Sequence, residues 1–452
     1  MPEKDNKPIF EREDMNFVSE SATVDISTNS ASTSDRARAV YAGSAGIILE
    51  WFDYGVYGTL APVISGIFFP AKDPMVSILL TLLVFGLGFV SRPLGAIIFG
   101  HIGDKYGRKV SLAWTIYIMA LATCCIGFVP SYAAIGIAAP IILTACRLLQ
   151  GVSAGGEWGG ATAFLVEYAS ENRRGFYGSF QQNLAVVGLT LGSLVGFLLT
   201  HYLAKEALTS WGWRIPFIFG IVLGYIGWYI RRKIKDTPSF VKLEEAHQIK
   251  ANPLVASLSR SNLVGIIKAM GMALGWNAGF YILLTFMSTY INTVLKLPLN
   301  LSLLSTFFSS ILLIVLMPIM GHISDKIGRK PVLITACLGF LFCTYPLFQF
   351  MSDGSFIKVL LAEFVLAVFL SMFSGAAVAF IAEIFTTQVR TSSLVGYNIC
   401  AAVGGGMAPF FATYLITVTG NNSSPAFYLI AMVIIALVAI LSLPETYNKP
   451  LK

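Results

Sequence analysis

Residues 100–109 read Gly-His-Ile-Gly-Asp-Lys-Tyr-Gly-Arg-Lys, and residues 321–330 read Gly-His-Ile-Ser-Asp-Lys-Ile-Gly-Arg-Lys. Eight of the ten letters match, and the copies begin 221 residues apart in a chain of 452. Each copy sits between two long apolar runs, so these few residues form a tight turn. Asp104 and Asp325 are read as following a helix and Gly107 and Gly328 as giving the backbone freedom to reverse, with Gly100 part of the same conformational-gate motif. The basic residues around Arg108 and Arg329 belong on the cytoplasmic side of a bilayer. A duplicated half with like-facing copies requires an even number of crossings between them.

Composition points the same way. Hydrophobic residues are 56% of the chain and charged residues 12%, about half the charged fraction of a soluble protein, and the mean hydropathy is +0.72. The net charge of +7 sits between apolar runs rather than on one polar face, which fits a membrane protein and not a nucleic-acid binder. The six cysteines all fall inside apolar runs without metal spacing, and none requires a disulfide. Residues 1–38 are polar, Ser/Thr-rich and acidic, lack the features of a signal peptide, and are expected to form a disordered cytoplasmic tail.

Runs long enough to span a bilayer fall near 40–68, 75–101, 110–130, 136–168, 175–202 and 213–232. A second set falls near 263–294, 301–323, 332–351, 356–384, 392–419 and 425–443. The expected fold is an all-α membrane protein of twelve transmembrane helices in two pseudo-symmetric six-helix bundles. Its domains are 39–232 and 263–445, joined by a cytoplasmic linker at 233–262 and ending in a cytoplasmic tail at 446–452. One set of connections carries seventeen Lys and Arg residues and the other only Lys72, Lys205, Lys296 and Lys358. Both termini and both copies of the repeat are therefore expected inside.

Further echoes support the duplication. Glu167 and Arg174 end the fourth span and open the next, and Glu383 and Arg390 repeat that spacing after the tenth. An acid facing an arginine one loop away can be a weak surface pair, but its recurrence in both halves reads as a structural clasp. Asp236-Thr237-Pro238 is loosely echoed by Pro444-Glu445-Thr446.

Ionisable side chains deep in a span are expensive unless paired or wet, which makes each a functional candidate. Glu50 and Asp53 lie three apart in the first span and share a face with Tyr54 and Tyr57. Rise per residue puts both acids near mid-membrane. Arg147, Gln150, Ala154, Glu157 and Ala161 form one stripe on the fourth span, and the second span adds Arg92 before Pro93. Acid–arginine pairs also occur as plain packing devices and are poor evidence for stability. Convergence of charge from three spans of one half favours function. The second half is quieter: Trp276, Asn277, Tyr281, Thr285, Tyr397 and Asn398 are polar or aromatic, and Glu363 is its one clear charge away from a span end. For any single aromatic, ordinary packing is the plainer reading.

The loop Gly-x-x-x-Asp-Lys-x-Gly-Arg-Lys, after the second and the eighth span, resembles the signature of the major facilitator superfamily. Glu-Trp-Phe-Asp at 50–53, Arg-Pro-Leu-Gly at 92–95, Gly-Gly-Glu-Trp-Gly-Gly at 155–160 and Trp-Gly-Trp-Arg-Ile-Pro-Phe at 211–217 resemble its metabolite:proton symporter branch. That branch includes proline/betaine, α-ketoglutarate, citrate and shikimate permeases. The resemblance implies a proton-coupled importer working by alternating access, in which Asp53 carries the proton and Arg147 faces it. Glu50 competes with Asp53 for that role.

A carboxylate-bearing solute would need Arg92 or Arg147, and an ammonium would suit aromatic faces such as Trp51, Tyr54, Tyr57, Trp158, Trp276 and Tyr281. Proline or glycine betaine satisfies both requirements. A di- or tricarboxylate or shikimate is the alternative, and a receptor on the same fold the non-transport one. Drug efflux is disfavoured because the fifth span lacks a Gly-Pro antiporter signature, and no catalytic motif marks an enzyme. Substrate contacts are expected from Arg92, Tyr54, Tyr57, Gln150, Glu157, Trp158, Trp276, Asn277, Tyr281 and Asn398. The expected partners are the solute, protons and the bilayer of the inner (cell) membrane, with no nucleic acid, metal or cofactor, and a monomer as the working unit. Osmosensing members of that type continue into a C-terminal coiled coil where this sequence stops at Lys452, so osmotic gating is not carried over.

Overall fold

A computed structural model of the protein describes residues 47–106, 108–155, 166, 169, 171–232, 260–384 and 396–449. The expected N-terminal tail and residues 233–259 of the expected linker lie outside the described residues, as do Gly107, Glu157, Trp158, Glu167 and Arg390.

The described chain is helical, and no strand occurs in it. In the first bundle, α1 covers residues 47–59 and continues as Ala61–Phe68, and α2 runs Pro74–Val90 and then Arg92–Tyr106. α3 is Arg108–Phe128, α4 Ala138–Ala154, α5 Arg174–Tyr202 and α6 Ile215–Arg232. In the second, α7 runs Arg260–Tyr281, passes through a π-helical turn at Ile282–Phe286 and resumes at Met287–Thr293. α8 is Leu299–Ile327, α9 Arg329–Phe350 and α10 Phe356–Ile384. α11 is described from residue 396, has a π-helical turn at Ala401–Gly406 and ends with Ala408–Thr419, and α12 is Pro425–Ser442.

Among the described residues, eight of these helices are long and apolar enough to cross a membrane, and α3, α4 and α6 hold shorter apolar stretches. Together with α1 they make the twelve spans, in two six-helix bundles. Their lipid-facing residues, such as Phe128, Ile141, Phe342 and Val438, stay exposed, because a bilayer is as apolar as a core.

Breaks in the helices have local causes. Pro62 cannot donate to the ladder, and Thr59 Oγ1 bonds back to the Gly55 carbonyl at 2.7 Å, so α1 turns at Leu60. Pro93 interrupts α2 at Ser91, whose hydroxyl reaches the Leu148 carbonyl of α4 at 2.8 Å. There α2 and α4 touch through their backbones: a Cβ on Gly151 would stand 1.6 Å from the Gly88 carbonyl oxygen. Only glycine permits that approach, and it brings Arg92 and Arg147 to the same depth against α1.

The second copy of the repeated stretch departs from the sequence expectation. α8 runs through Asp325 to Ile327, so the acid lies in the last helical turn rather than after it. The whole reversal is made by Gly328, at φ 105° and ψ 160°, a region essentially reserved for glycine. In the first copy, Gly100 and Asp104 likewise fall within α2, and Arg108 opens α3.

The bundles meet most extensively where α5 packs along α8. Pro318 lies inside α8 and leaves the Ile314 carbonyl without its helical donor. Asn183 of α5 supplies one, with Nδ2 at 2.6 Å.

Candidate functional site

Two acids on neighbouring turns of α1 each meet an arginine from a different helix. Asp53 Oδ2 accepts from Arg147 Nη1 of α4 at 2.6 Å and from Gln150 Nε2 at 3.0 Å. Gln150 Nε2 also lies 2.6 Å from Thr123 Oγ1 of α3. Glu50 Oε1 accepts from Arg92 Nη2 of α2 at 2.7 Å. Both arginines are buried, Arg147 completely. Ions so placed are tolerated in a membrane interior only when matched, and removing one member of such a pair costs roughly 3–5 kcal/mol.

Each guanidinium is also bedded on rings. The Arg147 guanidinium carbon stands 3.9 Å from the centre of the Tyr57 ring, and the Tyr57 hydroxyl donates to the Thr81 carbonyl at 3.2 Å. The Arg92 guanidinium carbon stands 4.4 Å from Phe89, 5.2 Å from Tyr54 and 5.5 Å from Trp51. Such contacts are worth about 0.5–2 kcal/mol each when dry. A cavity of about 30 Å³, room for a water molecule, adjoins Glu50 and Asp53 between α1, α3 and α6.

The Arg92 site is where the two bundles touch at mid-height. Trp51 packs edge-on against Phe280 of α7 at 5.4 Å, and Phe89 against Tyr281 at 5.0 Å. The π-helical turn of α11 lies over the same rings: a Cβ on Gly406 would stand 2.3 Å from Phe89, and one on Gly405 2.7 Å from Tyr281. Wide π turns recur at functional positions because they re-aim the backbone. Around this layer Trp276 donates to Ser374 at 2.9 Å, the Tyr397 hydroxyl meets Asn277 Oδ1 at 3.4 Å, and Asn398 Nδ2 faces the Gly155 carbonyl of α4 at 3.4 Å. Among the described residues, the Tyr281 hydroxyl, Arg92 Nε and Asn398 Oδ1 are buried without a hydrogen-bond partner, which leaves both donor and acceptor capacity at the layer.

At the end of the molecule that carries the repeated stretch, charges tie the bundles together. Asp325 Oδ1 and Oδ2 accept from the Gly175 and Phe176 N–H groups of α5, each at 2.8 Å. These belong to the exposed donors of a helix start, where a carboxylate also meets the positive end of the helix dipole. Arg329 pairs with Asp325 at 2.7 Å and with Glu383 at 3.1 Å. Glu445 caps α9 by accepting from the Arg329 and Lys330 N–H groups at 3.1 and 2.9 Å. Thr446 Oγ1 reaches Glu383 Oε2 at 2.6 Å, and Arg174 Nη1 the Lys449 carbonyl at 2.8 Å. Residues 445–449 thus lie bound across the helix ends.

Of the residues singled out in the sequence, Glu50, Asp53, Arg92, Arg147 and Gln150 come together, and Tyr54, Trp276, Asn277, Tyr281 and Asn398 surround the layer between the bundles. Tyr57 lies with Arg147, one turn away. The sequence reading missed Phe89, Thr123, Asn183 and Ser374, and it marked Glu445 and Thr446 only as an echo of Asp236-Thr237-Pro238, not as part of a segment bound to the helix ends. Only Pro318 carried a visible signal, since a proline in a span announces a carbonyl in need of a donor.

Models of two families match the chain: sugar (and other) transporters over residues 39–265 and the major facilitator superfamily over residues 298–452. A glycine betaine/proline/ectoine/pipecolic acid transporter of Dickeya dadantii is 36% identical over 424 residues, covering 92% of this chain and 84% of that protein. Proline/betaine transporters of Salmonella typhimurium and Escherichia coli are 36% and 35% identical over the same length, with 85% of each covered. Among solved structures, the proton:xylose symporter XylE bound to 6-bromo-6-deoxy-D-glucose superposes with a TM-score of 0.76 at 16% identity, over 93% of this chain and 98% of that one. A partially occluded inward-open form of the xylose transporter XylE from E. coli gives 0.72 at 18%, over 92% and 99%.

Proposed function

The chain belongs to the major facilitator superfamily and is a membrane transporter, and from that premise we propose that it imports a small zwitterionic solute together with protons. Proline and glycine betaine head the list, in keeping with its relatives among the proline/betaine transporters. Transport proceeds by alternating access, with the repeated stretch and both termini on the cytoplasmic side of the inner membrane. The working unit is a monomer, and the proton is the coupling ion.

The observation that carries this reading is the matching of charge at mid-membrane. Glu50 is paired with Arg92 and Asp53 with Arg147, so neither arginine has positive charge to spare. A di- or tricarboxylate entering there would add buried anionic charge with no free cation among the described residues of the site to meet it. A zwitterion instead exchanges partners pairwise. Its carboxylate takes a guanidinium hydrogen bond from Arg92, and its ammonium takes Glu50 and the faces of Trp51, Tyr54 and Phe89. The count of buried charges stays balanced throughout.

Proton coupling is assigned to Asp53. The pull of a neighbouring cation and the cost of desolvation act on a carboxylate in opposite senses. Opening the site to one side and then the other changes their balance, so the proton is taken from outside and released inside.

The test is counterflow in proteoliposomes with labelled glycine betaine, proline, α-ketoglutarate, citrate and shikimate. Exchange of glycine betaine or proline, accelerated by an inward proton gradient, is the expected result. Exchange confined to the dicarboxylates or shikimate would replace the substrate assignment, and binding without exchange would favour a receptor.

A further inference from the structure

Among the described acids inside the spans of the second bundle, Asp325 and Glu383 share Arg329, and Glu363 of α10 meets no cation. Glu363 is fully buried against α8. Its Oε2 contacts the hydroxyl of Ser305 and, at 3.0 Å, that of Ser309. Among the described residues its Oε1 has no hydrogen-bond partner. The helices packed on α10 carry other titratable groups, among them His322, Asp325 and Lys326 on α8, Arg174 and His201 on α5, Tyr281 and Tyr290 on α7, and Arg329 and Cys337 on α9. None is hydrogen-bonded or ion-paired to Glu363.

The surroundings favour a neutral acid. Ser309 Oγ lies 3.0 Å from the Ser305 carbonyl as well as 3.0 Å from Glu363, so its one proton is shared between them or turned to the carbonyl. A neutral carboxylic acid can donate to Ser309 Oγ and complete that contact. A carboxylate here would be a buried ion with hydroxyls alone for company, which burial penalises heavily.

The site is also shallow. Ser305 lies six residues into α8 from Leu299 and Glu363 seven into α10 from Phe356, so both are about 9–11 Å from the end opposite the repeated stretch. Ser302, Ser305, Thr306, Ser309 and Ser310, all buried, form one hydroxyl face of α8 leading inward from that end. The neighbouring face packs on α5, where a Cβ on Gly196 would stand 3.3 Å from Leu303. Parting of α5 from α8 there brings water to the hydroxyl row.

We propose that Glu363 is a second proton-binding site, holding its proton while α5 and α8 are packed together as here and exchanging it when they separate at the far end. The site is independent of the substrate assignment and borrows from the functional reading only the naming of that end as external.

The test is infrared spectroscopy of the full chain in lipid nanodiscs. A protonated-carboxyl stretch is expected at neutral pH in the wild type and not in Glu363→Gln. It should weaken in alkaline buffer and shift within minutes of transfer to D₂O. Ser309→Ala keeps the acid and removes one hydroxyl, so the band should move without vanishing, which preserves the test if Glu363→Gln fails to fold. Spectra that match between wild type and Glu363→Gln at every pH would overturn the proposal. So would a band indifferent to pH and to D₂O, which marks a sealed structural acid. Asp53→Asn should leave the band in place, so loss of symport in that variant bears on the functional reading alone.

Discussion

Arg147 rests on the ring of Tyr57, its guanidinium carbon 3.9 Å from the ring centre, while its Nη1 holds Asp53 at 2.6 Å. The planar group meets a flat partner and an acid at once, which an ammonium cannot do equally well. Arg147→Lys keeps the charge and loses most of the ring contact, about 1–2 kcal/mol. Accumulation against a gradient should fall about tenfold in vesicle uptake. Unchanged accumulation would mean that charge alone suffices at this position.

Asp53→Asn fixes a form that resembles the protonated acid. Exchange between equal pools should continue near its normal rate, and accumulation driven by a proton gradient should disappear. Glu50→Gln should retain accumulation and change mainly the apparent affinity. The reverse pattern, with accumulation lost in Glu50→Gln and kept in Asp53→Asn, would move the proton role to Glu50.

Arg92 should set the charge type of the solute. In Glu50→Gln its guanidinium keeps the rings of Phe89, Tyr54 and Trp51 but has no acid among the described residues. Carboxylates without an ammonium, such as acetate or propionate, should then compete with glycine betaine at concentrations at least tenfold lower than for the wild type. Competition assays that show no such gain would remove Arg92 from the substrate's carboxylate.

Asp325 joins the bundles through two backbone N–H groups of α5, and Asp104 holds the equivalent place in the first copy of the repeat. Asp325→Asn replaces a charged acceptor by a neutral one at a helix start, a loss of about 0.5–2 kcal/mol. Transport should slow several-fold with little change in substrate binding, and cysteines introduced at the motif end should label faster with a membrane-impermeant thiol reagent. Asp104→Asn should behave likewise. Equal losses of binding and transport would reduce these acids to supports for folding.

Asn183 and Pro318 should be coupled. Asn183→Ala orphans the Ile314 carbonyl and should cost about 1–3 kcal/mol in unfolding in mild detergent. In Pro318→Ala the carbonyl regains its helical donor, so adding Asn183→Ala there should cost much less. Strict additivity across the four proteins would show that the two sites do not interact.

Fold class was legible because period and length suffice: apolar runs of span length and a repeated basic turn leave little else to build. The acids and arginines of the first bundle were legible too, since charge in a span advertises itself. The pairing of Asp53 with Arg147 came from the family resemblance alone and that of Glu50 with Arg92 was not legible, because Glu50 and Asp53 share a face and only the crossing of α2 and α4 through Gly88 and Gly151 decides the partners. Phe89 was hidden among other phenylalanines, and its role depends on the close seat of Gly406. The π-helical turns of α7 and α11 left no mark either, as one extra residue per turn does not disturb an unbroken apolar run.

Arg174 and the Lys449 carbonyl, 275 residues apart in sequence, touch at 2.8 Å, and Glu445 and Thr446 hold α9 and Glu383 beside them. During synthesis these partners do not exist together until nearly the whole chain has emerged. At about 5–20 residues per second, α5 waits on the order of tens of seconds for the segment that ties down its start. Until then the nascent first bundle sits in the bilayer with that end untied, so a ribosome stalled within α12 would leave an inserted but unlatched protein. Quality-control proteases that sample that end of the molecule would meet that state first.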